Sequence, residues 1–181
     1  LKYGENKFKW CRRIISAYYE FFQFIFPCGP KIEIYKEASE YLKYNKVDFI
    51  LATGDPFILF HYASKLGRKH NTPWVADYRD PWSHDISKQN KILNVWSTYY
   101  EKKIVKNARF IVTVSDFINH QINSIIPNKN IHVIPNGYDH EIIDSAEQVK
   151  QNSEIFSIAL AGSIYKWNPI YSFLSVISKF T

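Results

Sequence analysis

Thr72-Pro73-Trp74-Val75-Ala76-Asp77-Tyr78-Arg79-Asp80-Pro81-Trp82 is a short apolar run that ends abruptly in charge. Trp74, Val75 and Ala76 suit a strand covered on both faces, as in a parallel sheet. Pro81 holds Asp80 extended and keeps a helix from starting there. Ligands of open α/β sheets sit outside the carboxyl ends of the strands. Two carboxylates, a guanidinium and an indole gathered at such an end mark a functional rim.

The same grammar repeats on both sides of this stretch. Upstream, 33–45 reads as a helix with Ile34, Ala38, Tyr41 and Leu42 on its apolar face. A strand over 47–52 runs into Thr53-Gly54-Asp55-Pro56, and a helix over 57–69 follows. Downstream come a helix over 92–107, a strand over 109–114, and a helix over 116–126 that Ser115 can cap. A strand over 130–134 stops at Pro135-Asn136-Gly137, where Asn-Gly would supply a positive-φ position. The polar stretch 139–153 reads as a linker before a fifth strand over 155–161, Gly162-Ser163 and a helix over 169–180. Strands alternating with helices predict an α/β fold with a doubly wound parallel sheet. The apolar strand near residue 48 has no strand upstream, and the last strand and helix cannot bury a core alone, so the sheet reads as truncated at both ends.

Composition narrows the function classes. A 46% hydrophobic and 22% charged chain has the make-up of a soluble globular domain. The net charge of +6 is diffuse; it favours phosphorylated ligands or a lipid surface and does not point to nucleic acid. Aromatic residues reach 17%, a surplus that serves either a core or a sugar-stacking or membrane-facing surface. Cys11 and Cys28 have no metal-ligand spacing and no CxxC arrangement, which makes a reduced, cytoplasmic compartment the default expectation. The histidines have no metal-like spacing, and no acidic DxD, P-loop, GxGxxG or GxSxG is present. Lys7, Lys9, Arg12 and Arg13 precede an apolar 14–26 segment that is too short and too interrupted to span a bilayer. It reads either as a basic-aromatic interfacial helix or as an amphipathic helix facing the core.

The candidate site residues each have two readings. Asp77, Arg79 and Asp80 can form an ionised cluster that binds sugar hydroxyls or acts as a base, or a structural ion pair that fixes the loop into Trp82. Thr53 and Gly54 join a strand end to a helix start, where free N–H groups collect, or are a plain turn. Ser115 has the same choice between substrate contact and helix cap. Asn136 and Gly137 are a loop exit or a hinge between domains. Gly162, Ser163 and Lys166 follow a strand in a geometry that suits a phosphate.

Taken in order, five stretches resemble the glycosyltransferase family 4 (group 1) enzymes of GT-B fold. They are Asp48–Phe57, Pro73–Trp82, Glu101–Ser115, Val133–Asp139 and Ala161–Tyr165. The resemblance implies a two-domain enzyme of Rossmann-like halves. Here 1–30 would be a basic-aromatic helical segment, 31–139 part of the acceptor-side domain, 140–154 a linker and 155–181 the first strand and helix of the donor domain. It implies transfer of a sugar from a nucleotide-sugar to a glycan or lipid-linked acceptor, retaining, with no cofactor or required metal, in cell-surface polysaccharide synthesis. The fragment alone would be inactive, and the acceptor class suggests a peripheral place at the inner membrane face. Asp77, Arg79 and Asp80 would be catalytic, Thr53, Gly54, Trp82, Ser115, Asn136 and Gly137 would bind substrate, and Gly162, Ser163 and Lys166 would hold donor phosphates. Relatives often carry a His at the strand end where this chain has Asp-Tyr-Arg-Asp, and an Arg in the loop where it has Trp167-Asn168. Two further readings stay open: a non-catalytic Rossmann-like binding module, and a sugar-nucleotide epimerase of the related two-domain fold.

Overall fold

The computed structural model describes residues 9–26, 28, 31–83, 91–141, 154–155, 157–159, 162 and 169–179. The chain divides into two compact units, Leu1–Gly137 and Tyr138–Thr181. The first is built on four parallel strands: β1 (Ile50–Gly54), β2 (Trp74–Tyr78), β3 (Ile111–Thr113) and β4 (Ile131–Val133), in the order β1-β2-β3-β4. Helices α3 (Ile58–His70), α4 (Lys91–Val105) and α5 (Asp116–Ile125) connect successive strands. An order that always advances in one direction puts right-handed crossovers on one face. Phe60 of α3 and Glu101 of α4 both meet Tyr78 on that face. The expected α/β fold with a Rossmann-like parallel sheet is present.

The strand β2 is buried along its whole length, as its apolar run implies. The first strand begins three residues later than the apolar pattern predicts. Pairing starts at Ile50 opposite Trp74, and Ile50 donates its N–H to the Pro73 carbonyl at 2.9 Å. Pro73 has no N–H to carry the ladder further back, so Val47 and Phe49 stay outside it and exposed.

Two elements hold the helical layer together. In α2 (Lys31–Tyr44) the predicted apolar face is rotated: Ile34 and Tyr41 are exposed, while Tyr35 packs on Tyr62 at 5.5 Å and Ser39 is buried. The cause is polar. Lys69 donates to Ser39 Oγ at 2.7 Å, and His70 Nε2 lies 3.2 Å from the same oxygen, which pins α2 to the end of α3. That end closes through Asn71, which adopts the left-handed conformation of a C-cap (φ 50°). Gly67 permits the close return, because a Cβ there would stand 2.7 Å from the Thr72 carbonyl.

The N-terminal segment docks on the core, as its amphipathic reading expects. Helix α1 (Lys9–Ala17) continues into a π-helical turn, Tyr18–Phe22. Trp96 Nε1 donates to the Phe21 carbonyl at 3.1 Å, and Phe24 stacks on Tyr100 with ring centroids 5.1 Å apart. One side is therefore core. The other exposes Trp10, Ile14, Phe22, Ile25 and Phe26. Among the described residues no helix is long and apolar enough to cross a membrane.

In the second unit, α6 (Ile170–Ile177) forms where a helix was predicted. The predicted fifth strand is not seen in Ile155, Ser157, Ile158 or Ala159, its described residues; a lone strand has no neighbour to complete its ladder. Most of the predicted linker, 142–153, lies outside the described residues.

The core is organised around a carboxylate. Glu101 is 1% exposed; it accepts from the Tyr78 hydroxyl at 3.0 Å and from the Ser83 N–H at 3.1 Å. Burial, then the adjacent Glu101 charge, pushes the Tyr78 phenol well above its ordinary pKa, so it stays a donor. Glu101→Ala should lower unfolding free energy by roughly 3 kcal/mol, because two buried donors lose a charged acceptor, and Glu101→Gln by less; urea denaturation measures both. A second expectation concerns pH. Burial, then the cations of Lys65, Arg68 and Lys103, lowers the His61 pKa from 6.5 to about 4. The unfolded chain then binds the proton more readily, so the His61 contribution is complete above pH 6.5 and is lost as pH falls towards 4. Urea midpoints at pH 7 and pH 5 should therefore separate less in His61→Phe than in the parent chain.

Candidate functional site

The parallel register sets Thr53 beside Asp77 at the carboxyl ends of β1 and β2. Alternation along β2 sends Asp77 to the face opposite Tyr78. Thr53 Oγ1 donates to Asp77 Oδ2 at 3.1 Å, and Arg79 Nε donates to the same oxygen at 3.0 Å. Arg79 Nη1 then donates to Asn136 Oδ1 at 2.7 Å. Three sequence-distant segments thus meet in one polar rim. Asp77 is 4% exposed, whereas the Arg79 side chain keeps 48% of its surface open to solvent. The other carboxylate oxygen, Asp77 Oδ1, is buried and has no hydrogen-bond partner among the described residues.

Several expectations need correction. The sequence reading has Arg79 holding both carboxylates, but the guanidinium bonds Asp77 and Asn136, and Asp80 stays exposed without a side-chain partner among the described residues. Neither Asn136 nor Gly137 has a positive φ; among the described residues the left-handed non-glycine ones are Asn71 and Asn128. Asn136 is held instead by its side chain on Arg79, a contact between residues 57 apart that no local turn pattern reveals.

Other predicted residues have structural duties that the fold makes plain. Ser115 Oγ accepts from the Ile118 N–H at 3.4 Å, the cap of α5. Gly54 is required by packing: a Cβ there would stand 2.5 Å from the Phe57 ring. Trp82 is 4% exposed and lies flat on Phe57, with centroids 5.0 Å apart and planes 2° apart. That stack forms one wall of a hollow of about 210 Å³, completed by Asp55, Tyr19, Gln23 and Lys31. Sequence reasoning did not find Lys31 and Asp55 on one hollow, because the start of α2 and the end of β1 meet there only in the fold. Gly162 is in the positive-φ region (φ 132°), while Ser163 and Lys166 lie outside the described residues.

A four-stranded parallel sheet whose carboxyl ends carry a buried carboxylate, a guanidinium and an aromatic-walled hollow defines a Rossmann-like domain. The family model for Glycosyltransferase Family 4 matches residues 3–142. The chain belongs to this family, and its function is of the glycosyltransferase type, with a sugar donor and an acceptor as substrates. No curated protein and no solved structure gives a significant match.

The rim should behave as a coupled unit. In a double-mutant cycle, Arg79→Met and Asn136→Ala should fall short of additivity by about 1 kcal/mol, the worth of their shared hydrogen bond. Urea denaturation of the two single variants and the double variant provides the measurement.

Proposed function

We propose that the protein moves a sugar from a nucleotide-sugar donor to a glycan or lipid-linked acceptor, with retention of configuration and without a metal. On this reading it is a cytoplasmic enzyme of cell-surface polysaccharide synthesis that works as a peripheral protein at the inner membrane face. The observation that carries the proposal is the unpartnered, buried Oδ1 of Asp77 in a rim otherwise fixed by Thr53, Arg79 and Asn136. A buried acceptor left unmade costs about 1–3 kcal/mol, and a sugar hydroxyl donating to it removes that cost.

Asp77 then orients the acceptor while Arg79 holds Asp77 in place. Asp80, one residue beyond Arg79 and open to solvent, is the carboxylate available to take the acceptor hydroxyl's proton as the new glycosidic bond forms. Departure of the diphosphate needs positive charge and N–H donors, which we assign to Gly162, Ser163 and Lys166. In this assignment 31–139 is the acceptor side, 140–154 the linker and 155–181 the start of the donor side. The exposed apolar side of the N-terminal segment, next to its basic residues, supports the membrane contact.

The test is transfer by the protein at its full natural length across a panel of UDP- and GDP-sugars, alongside Asp80→Ala. The variant should keep the parent's urea midpoint and lose transfer by roughly 10²–10⁴-fold, the usual worth of a positioned base. Unchanged turnover in the variant would remove Asp80 from the site. No turnover of any donor by the parent would overturn the transfer itself.

A further inference from the structure

A second hollow, of about 220 Å³, opens between α3 and α4, away from the rim. Its polar lining is His61, Ser64 and Arg68 from α3, with Lys103 and Asn107 from α4 and the chain just beyond it. Among the described residues no carboxylate lines it. Arg68 and Lys103 have no ion-pair partner among the described residues. Lys103 is held over the rings of Tyr99 and Tyr100, 5.4 Å and 5.7 Å from their centroids, which positions the ammonium while leaving its hydrogens free. His61 Nε2 is buried and without a hydrogen-bond partner among the described residues. The space far exceeds that of one water. Two unpaired cations, an orphaned ring nitrogen and neutral donors around such a hollow match a phosphate, which an arginine fork binds through two oxygens at once.

The mouth of the hollow says where that phosphate comes from. Ile25 lines it and is 44% exposed, and it continues the exposed apolar side that carries Phe22 and Phe26. A free phosphate has no use for that surface; an acyl chain has. We propose that the α3–α4 hollow takes the phosphate of an anionic lipid headgroup while the lipid's chains lie along Phe22, Ile25 and Phe26. This rests on the membrane contact of the proposed function and is independent of the sugar transfer. It converts a diffuse attraction between basic residues and an anionic surface into a defined site.

The experiment is co-sedimentation of the 181-residue chain with phosphatidylglycerol or phosphatidylcholine vesicles, with phosphate calorimetry beside it. The chain should bind phosphatidylglycerol vesicles and leave phosphatidylcholine in the supernatant. Arg68→Gln/Lys103→Gln should weaken binding about tenfold more than Lys102→Gln/Lys106→Gln, which removes the same charge from neighbouring positions outside the hollow. Equal weakening in the two double variants means diffuse attraction and overturns the headgroup site while leaving the membrane contact. A parent chain that binds neither vesicle overturns both, with the transfer assay untouched. Inorganic phosphate binding that depends on Arg68 and Lys103, without vesicle binding that does, makes free phosphate the ligand and overturns the lipid assignment.

Discussion

The structure depends on one buried charge. Glu101 sits in the core at 1% exposure, where an ionised carboxylate is tolerated only when hydrogen-bond donors surround it. Two of those donors come from the ends of what must be fixed: the Tyr78 hydroxyl at the last residue of β2 and the Ser83 N–H beyond Trp82. Helix α4 thereby holds both sides of the segment that carries Arg79 and Asp80. Asp77 and Tyr78 are consecutive on a strand and point to opposite faces. Locking Tyr78 into the helical layer therefore orients Asp77 on the other face, and the rim inherits the rigidity of the core.

Aromatic packing completes this arrangement and accounts for the unusual composition. Phe57, Phe60, Trp74, Tyr78 and Trp82 contact one another beneath the ends of β1 and β2. Phe24 joins them from the N-terminal segment, 5.4 Å from Trp82 and 5.1 Å from Tyr100. Offset and edge-on ring pairs add to the area they bury, so this cluster anchors a segment whose opposite side stays exposed. Gly54 belongs to the same cluster, because the Phe57–Trp82 stack leaves no room for a side chain at that position. Residues that look like a binding loop in the sequence are here also packing elements of the core.

What could be read from the sequence follows from the range of the forces involved. Periodicity, helix capping and strand–helix alternation are local, so the four strands, α3, α4, α5 and the Ser115 cap were legible within a few residues. The start of β1 was less so, because it depends on where Pro73 ends the neighbouring ladder. The buried face of α2 is set by Lys69 and His70, some 30 residues away, which draw Ser39 inward against the apolar pattern. Asn136 was recognised as special for the wrong reason: its backbone is ordinary, and its partner lies on another strand end. The burial of Trp82 was hidden too, since its cover comes from Phe24, Phe57 and Phe60, which are distant from it in sequence.

Polar clusters in this fold separate into two kinds by the completeness of their bonding. Ser39, Lys69 and His70 place a serine next to a histidine, a pairing that elsewhere activates a nucleophile. Here Lys69 donates to the hydroxyl oxygen, which leaves the serine's hydrogen for His70, and the residue is 5% exposed. Its hydroxyl is occupied on both sides, so the cluster ties two helices together and leaves no bond for a ligand to make. The rim differs in one oxygen. Among the described residues the buried side-chain atoms without a partner include Trp74 Nε1, Asn94 Oδ1, Thr113 Oγ1 and Gln121 Oε1, all on neutral groups. Asp77 Oδ1 is the carboxylate oxygen in that set, and desolvating an anionic acceptor is the more expensive case. A carboxylate held by two donors on one oxygen, with its buried other oxygen lacking a partner among the described residues, is an arrangement whose bonding a hydroxyl-bearing ligand completes.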